Sequence, residues 1–181
     1  MHRSIFNLRW AQCAEKGPFD KPRRITGRKR AGLKYEADLA KRLPQAIHGQ
    51  WINFQDKNGP GWAQPDFLVE FAFSDAMLIL ETKYTWVADA YGQIENLYKP
   101  LVEHIWRKPA FGIVVAKVLT PDCKALPVYH SLDEAALAAC GSGKTVLWHW
   151  IGSGPLFSPQ VTEASASGLS RARIRAQHIA T

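Results

Sequence analysis

Residues 65–83 read PDFLVEFAFSDAMLILETK, and what this stretch does decides the fold. Two apolar runs, Phe67 to Phe73 and Met77 to Leu80, flank Ser74-Asp75, a pair suited to a chain reversal. An antiparallel hairpin turning between Ser74 and Asp75 sets Asp66 opposite Lys83 and Phe67 opposite Thr82. Glu81 lies two residues from Lys83 and shares its face, because side chains alternate along a strand. Asp66, Glu81 and Lys83 then converge at one end of one sheet face. A one-residue slip of register would send Asp66 to the opposite face.

Met77-Leu78-Ile79-Leu80 is apolar on both faces, as suits a central strand covered on both sides. Two carboxylates and a lysine at the end of so apolar a hairpin are costly unless something neutralises them. A hard cation such as Mg²⁺ does so, accepting one or two carboxylates while keeping waters and phosphate oxygens. A cross-strand Asp–Lys pair beside a solvated Glu is the simpler arrangement, worth a fraction of a kcal/mol. The hairpin alone is compatible with both.

The rest of the chain narrows the choice. Its 181 residues suffice for one domain with a proper core, and 46% hydrophobic with 22% charged residues is a globular composition. A net charge of +7 suits a polyanionic partner. Three scattered cysteines, Cys13, Cys123 and Cys140, form neither a disulfide framework nor a metal-ligand spacing. With no membrane-length apolar run and no signal-peptide pattern, the expectation is a soluble, cytoplasmic protein without a membrane partner.

The cations are clustered. Residues 21–30, KPRRITGRKR, hold six of them, and Arg23, Arg24, Arg28, Lys29 and Arg30, with Lys34 just beyond, are the expected phosphate contacts. A second cluster, Arg171, Arg173 and Arg175, reads as a solvated tail. The expected organisation is a basic N-terminal segment over 1–30, a domain over 31–152, and a loosely packed C-terminal extension over 153–181.

Within the domain, Leu33 to Leu43 predicts a helix with Leu33, Ala37, Ala40 and Leu43 as its stripe, stopped by Pro44. Glu36 near its first turn is explained by the helix dipole alone. Gln50 to Phe54 predicts a strand, followed by a breaker-rich loop over 56–61. Val87 to Trp106 predicts an amphipathic helix that Pro100 kinks or splits. Strands over 111–119 and 145–151 and a helix over 132–140 complete a mixed sheet with helices packed on it. The helix between the hairpin and the 111–119 strand implies a parallel crossover.

This order, with its P-D…E-x-K residues, resembles the PD-(D/E)XK nuclease superfamily over about Gly32 to Val118. The resemblance implies an α/β fold with a restriction-endonuclease-like αβββαβ core, a mixed central β-sheet flanked by helices. It implies that Glu36, Asp66, Glu81, Lys83 and Gln93 form the catalytic set. Asp66, Glu81, the main-chain carbonyl of Thr82 and Glu36 would hold Mg²⁺ or Mn²⁺. In members resembling phage-type and recombination exonucleases the glutamine and a tyrosine stand four apart, whereas Gln93 and Tyr98 are five apart.

The implied activity is metal-dependent DNA hydrolysis. The small size and basic segment suit a structure-specific endonuclease resembling a Holliday junction resolvase, acting as a homodimer and suited to a phage. An exonuclease, or a non-catalytic DNA-binding protein retaining the fold, are the alternatives. Residues 138–145, AACGSGKT, match a loose phosphate-loop pattern, but a helix precedes and a strand follows, the reverse of what nucleotide binding needs; no nucleotide cofactor is expected. Trp51, Trp62 and Trp86 lie near the predicted site, where indoles stack on unpaired bases or simply pack.

Overall fold

The computed structural model describes residues 3–18, 27–71 and 74–157. Arg23, Arg24, the side chain of Arg28, and the C-terminal cations Arg171, Arg173 and Arg175 lie outside the described residues.

The predicted hairpin forms, with a shifted register. Strand β5 (Phe67–Phe71) pairs antiparallel with β6 (Ala76–Thr85), and Phe67 stands opposite Leu80 rather than Thr82. The register moves the centre of the reversal one residue earlier, with Ser74 and Asp75 still in the turn and Asp75 in the left-handed region at φ 46°. The slip is by two residues, so every side chain keeps its face. β6 is buried from Ala76 to Glu81, as a central strand should be.

A six-stranded mixed sheet grows around β6. A two-residue strand, β2 (Ile47–His48), pairs antiparallel with β5. On the other side β7 (Ala110–Val118) runs parallel to β6, then β9 (Val146–His149) and β8 (Val128–Tyr129), giving the order β2-β5-β6-β7-β9-β8. One face packs on Ile94, Leu97, Leu101 and Val102, the other on Tyr35, Leu39, Ala135 and Ala139. This is an α/β fold with helices on both faces of a mixed sheet.

Helix α1 (Gly27–Arg42) begins six residues earlier than the apolar pattern implies. Its buried stripe is Tyr35 and Leu39, continued by Leu43 just past its end, while Leu33 and Ala37 are exposed. The expected positions 33, 37, 40 and 43 and the observed 35, 39 and 43 both recur near helical spacing. Tyr35 selects its own by stacking near Trp150 and donating its hydroxyl to the Trp150 carbonyl at 2.6 Å.

The segment 50–61 departs most from expectation. Strand β3 (Trp51–Asp56) stands in a separate three-stranded sheet, and the predicted loop is the turn of a hairpin into β4 (Gly59–Ala63). The third strand is β1 (Trp10–Ala14), from a segment read as a basic arm. Asp56 anchors this N-terminal chain. Its buried carboxylate takes bonds from the Arg3 guanidinium, the Phe6 N–H at 3.1 Å and the Asn58 N–H at 2.9 Å. Residues beyond 152 also pack: Leu156 is buried, and its carbonyl accepts the Leu132 N–H at 2.7 Å.

The predicted long helix is split. Helix α2 (Asp89–Gln93) passes into a π-helical turn (Ile94–Tyr98) and then α3 (Lys99–Trp106). Pro100 has no N–H to offer the Asn96 carbonyl. That carbonyl accepts the Ile5 N–H at 2.8 Å, so the N-terminal chain satisfies the acceptor that the proline leaves open. Helix α4 (Leu132–Ser142) ends at Gly143 with φ 68°, and β9 follows, the helix-then-strand order expected around the glycine-rich 138–145 stretch. Among the described residues no helix is long and apolar enough to cross a membrane.

Candidate active site

The carboxylates stand where β5 begins and where β6 leaves the core. Continuing the observed register sets Asp66 across from Glu81, with Lys83 two residues along the same face. Face parity places all three on the side of the sheet covered by α2, the π turn and α3. Asp66 Oδ2 is fixed twice by Thr82, through its N–H at 2.7 Å and its hydroxyl at 2.6 Å. The Asp66 carbonyl accepts the Gly49 N–H at 2.9 Å. Backbone and side chain are thus both tied to neighbouring strands, leaving Oδ1 uncommitted.

Glu81 is only 3% exposed. Oε1 accepts the Lys83 ammonium at 2.6 Å, while Oε2 is buried with no partner. Burial, and then the negative charge of Asp66, push its pKa up to about 8, against the opposing pull of Lys83. A carboxylate held in this state is short of positive charge.

Glu36 arrives from α1, on the opposite side of the sheet. Its Oε1 meets His48 Nε2 at 2.7 Å, and the imidazole stacks on Phe67 with ring centroids 4.7 Å apart. Burial and the charge of Asp66 raise the Glu36 pKa, while the bond to His48 and the charges of His48 and Lys83 lower it. Glu36 therefore feels Asp66 and Lys83 but is bonded to His48.

Gln93 and Tyr98 cover the site from the helical side. A π turn repeats every five residues instead of four, so the extra residue between them is absorbed and both side chains share a face. The Gln93 amide donates to the Tyr98 hydroxyl, which donates to the Gln64 carbonyl at 3.0 Å, two residues before Asp66. Burial and the charges of Glu81 and Asp66 raise the Tyr98 pKa, and Gln93 Oε1 is buried without a partner.

Among the described residues no three His, Cys, Asp or Glu side chains come close enough together to hold one ion. Mg²⁺ asks for only one or two carboxylates and keeps several waters, so Asp66 Oδ1 and the orphaned Glu81 Oε2 fit its needs. Thr82, whose carbonyl is the other expected ligand, is the residue that clamps Asp66.

Lys29, Arg30 and Lys34 lie exposed on α1. The first turn of this helix has no acidic residue, so its cations oppose the helix dipole. Trp86 is buried against Tyr91, with ring centroids 6.4 Å apart. His48 was illegible in sequence, because a two-residue strand has no periodicity to reveal it. Comparison with family models, with curated proteins and with solved structures finds no match.

Proposed function

We propose that this chain is a metal-dependent DNA phosphodiester hydrolase of PD-(D/E)XK type with a restriction-endonuclease-like core. The observation that carries this reading is Glu81: a buried carboxylate with one oxygen unpartnered, flanked by Asp66 and Lys83 on one sheet face. A structural ion pair has no use for the second buried oxygen or for a neighbouring carboxylate. The element order is compatible with αβββαβ: α1, β2, β5, β6, the split helix and β7 occur in that chain order, with β3 and β4 of the separate sheet inserted between β2 and β5 and the two-residue β2 in the place expected for β3.

Bound Mg²⁺ or Mn²⁺ would supply charge neutralisation at a phosphoryl oxygen and a water of lowered pKa. Asp66 and Glu81 would hold it, with the Thr82 carbonyl and with Glu36 beside them. Lys83 Nζ orients the attacking water and stabilises the negative charge that builds on the phosphoryl oxygens. As the water oxygen bonds to phosphorus and gives up one proton to solvent, the bond to the leaving sugar oxygen breaks and that oxygen takes up one proton from solvent. Gln93 and Tyr98 fix the Gln64–Asp66 backbone and shield the site from bulk water. The exposed cations of α1, set against their own helix dipole, suit phosphate contacts along the strand.

The net charge and small size favour a structure-specific endonuclease, acting as a homodimer on branched DNA. The Gln93–Tyr98 hydrogen bond favours a second reading, an exonuclease of the recombination or phage type, because the π turn restores the pairing that the five-residue spacing seemed to lose.

Titration of Mn²⁺ followed by electron paramagnetic resonance tests the metal site itself. Wild type should take up the ion, and Asp66→Asn or Glu81→Gln should weaken uptake by about tenfold or more. Equal uptake by all three proteins would defeat the proposal.

A further inference from the structure

The three-stranded sheet has an outer face unlike the rest of the surface. Ile52 and Phe54 of β3 point into the core, so Trp51, Asn53 and Gln55 point out. The registers set Trp10 and Gln12 of β1 beside Gln55 and Asn53, and Trp62 of β4 beside Asn53. Ala14 and Pro60 fill the remaining outward positions, and the line continues past the strand to exposed Gln64. The outer face thus holds three indoles and several amides, and no charge.

Trp51 is the fixed member. Its ring lies against the Gly17 backbone, where an added Cβ would fall 2.2 Å from the indole, and the Trp62 ring meets it edge-on at 6.2 Å. Trp10 and Trp62 are each 38% exposed. Among the described residues flanking β1 and the β3–β4 turn, Arg9, Lys16 and Lys57 are exposed, against one exposed carboxylate, Glu15.

We infer that this face is a stacking platform for the unpaired bases of a nucleic-acid strand, an inference that rests on the nuclease reading and names the part of the substrate it takes. Gln55 accepts the Trp10 indole N–H at 3.3 Å and Gln64 is bonded to Gly49, but burial against an apolar protein surface would strand the Gln12 and Asn53 amides. Bases offer both what indoles and what amides need, a π face and a hydrogen-bonding edge. The surrounding cations suit the strand's phosphates. The platform is also continuous with the candidate site: Gln64 donates its side-chain amide to the Gly49 carbonyl at 2.8 Å, accepts the Tyr98 hydroxyl at its own carbonyl, and precedes Asp66 by two residues.

The test is tryptophan fluorescence titration with oligothymidylate and with a blunt duplex, in EDTA so that cleavage plays no part. Wild type should be quenched by the single strand, and Trp10→Leu/Trp62→Leu should bind it about tenfold more weakly or worse, with duplex affinity unchanged. Thermal melting establishes that the variant is folded, and Trp10→Leu alone should show an intermediate loss. Unchanged single-strand affinity in the folded variant would overturn the platform. So would an equal loss for duplex, or a change of oligomeric state in sedimentation with oligonucleotide binding intact, which would make the face a contact between copies. Absence of cleavage in a separate Mg²⁺ assay would sink the nuclease reading and leave this result standing.

Discussion

Gln93 and Tyr98 stand five residues apart and are joined by a hydrogen bond, because the turn between them is π-helical. In an unbroken α-helix a five-residue step rotates side chains well away from one another. The cost of the irregular turn is offset locally. Lys99 closes the π bond to Ile94, Pro100 has no donor to lose, and Ile5 takes the Asn96 carbonyl.

Tyr98→Phe should therefore do more than remove a hydroxyl. It leaves the buried Gln93 amide without its acceptor and the Gln64 carbonyl without its donor, at a cost of about 1–3 kcal/mol. Melting temperature should fall by about 2–4 °C per kcal/mol, and cleavage should fall with it as the backbone before Asp66 loosens. Thermal melts alongside turnover check this, and a Tyr98→Phe protein as stable as wild type contradicts it.

Glu81 makes stability depend on pH. Its folded pKa of about 8 lies above the ordinary carboxylate value, so the unfolded chain releases this proton first as pH rises. Its contribution to stability is fully present below about pH 4.5 and is lost as pH rises toward 8. Glu81→Gln removes the dependence, and should raise metal-free stability at pH 8 by on the order of a few kcal/mol while changing little at pH 4. Divalent metal should stabilise wild type more than the variant. Denaturant titrations at the two pH values, with and without Mg²⁺, measure both effects.

Arg3 and Asp56 tie the N-terminal chain to the small sheet. Burial alone would raise Asp56, but bonds from the Phe6 N–H, Arg3 and the Asn58 N–H hold its carboxyl below the usual range. Its contribution to stability is present above the ordinary Asp pKa and is lost as pH falls through the depressed folded value. Arg3→Ala leaves a buried charge short of its partner and should cost about 3 kcal/mol. Hydrogen exchange should then show faster opening of β1 than of β6. Equal protection of the two strands would mean that the N-terminal chain is held by something else.

Much of this architecture was legible because it rests on periodicity. The β5–β6 hairpin, the β7 strand and α4 have patterns that only one element satisfies, and the alternation that puts Asp66, Glu81 and Lys83 on one face survives a two-residue error in the turn. The parts that were missed lack such a pattern. β4, Gly59–Ala63, contains two glycines and a proline, whose local signals favour a loop, and only pairing with β3 makes it a strand. β1 has no apolar alternation of its own and is held by Asp56. The Glu36–His48 bond depends on a two-residue edge strand, which no local rule anticipates.

The proposed chemistry is DNA hydrolysis by Asp66, Glu81 and Lys83 with a divalent metal. Its most direct test is cleavage of labelled linear duplex, single strand, nicked circle, flap and four-way junction with Mg²⁺, comparing wild type with Lys83→Ala. Wild type should cut in a metal-dependent way, favouring DNA with unpaired or branched regions, and the variant should lose at least about a hundredfold. Tight binding without cutting, the same in both proteins, would contradict it.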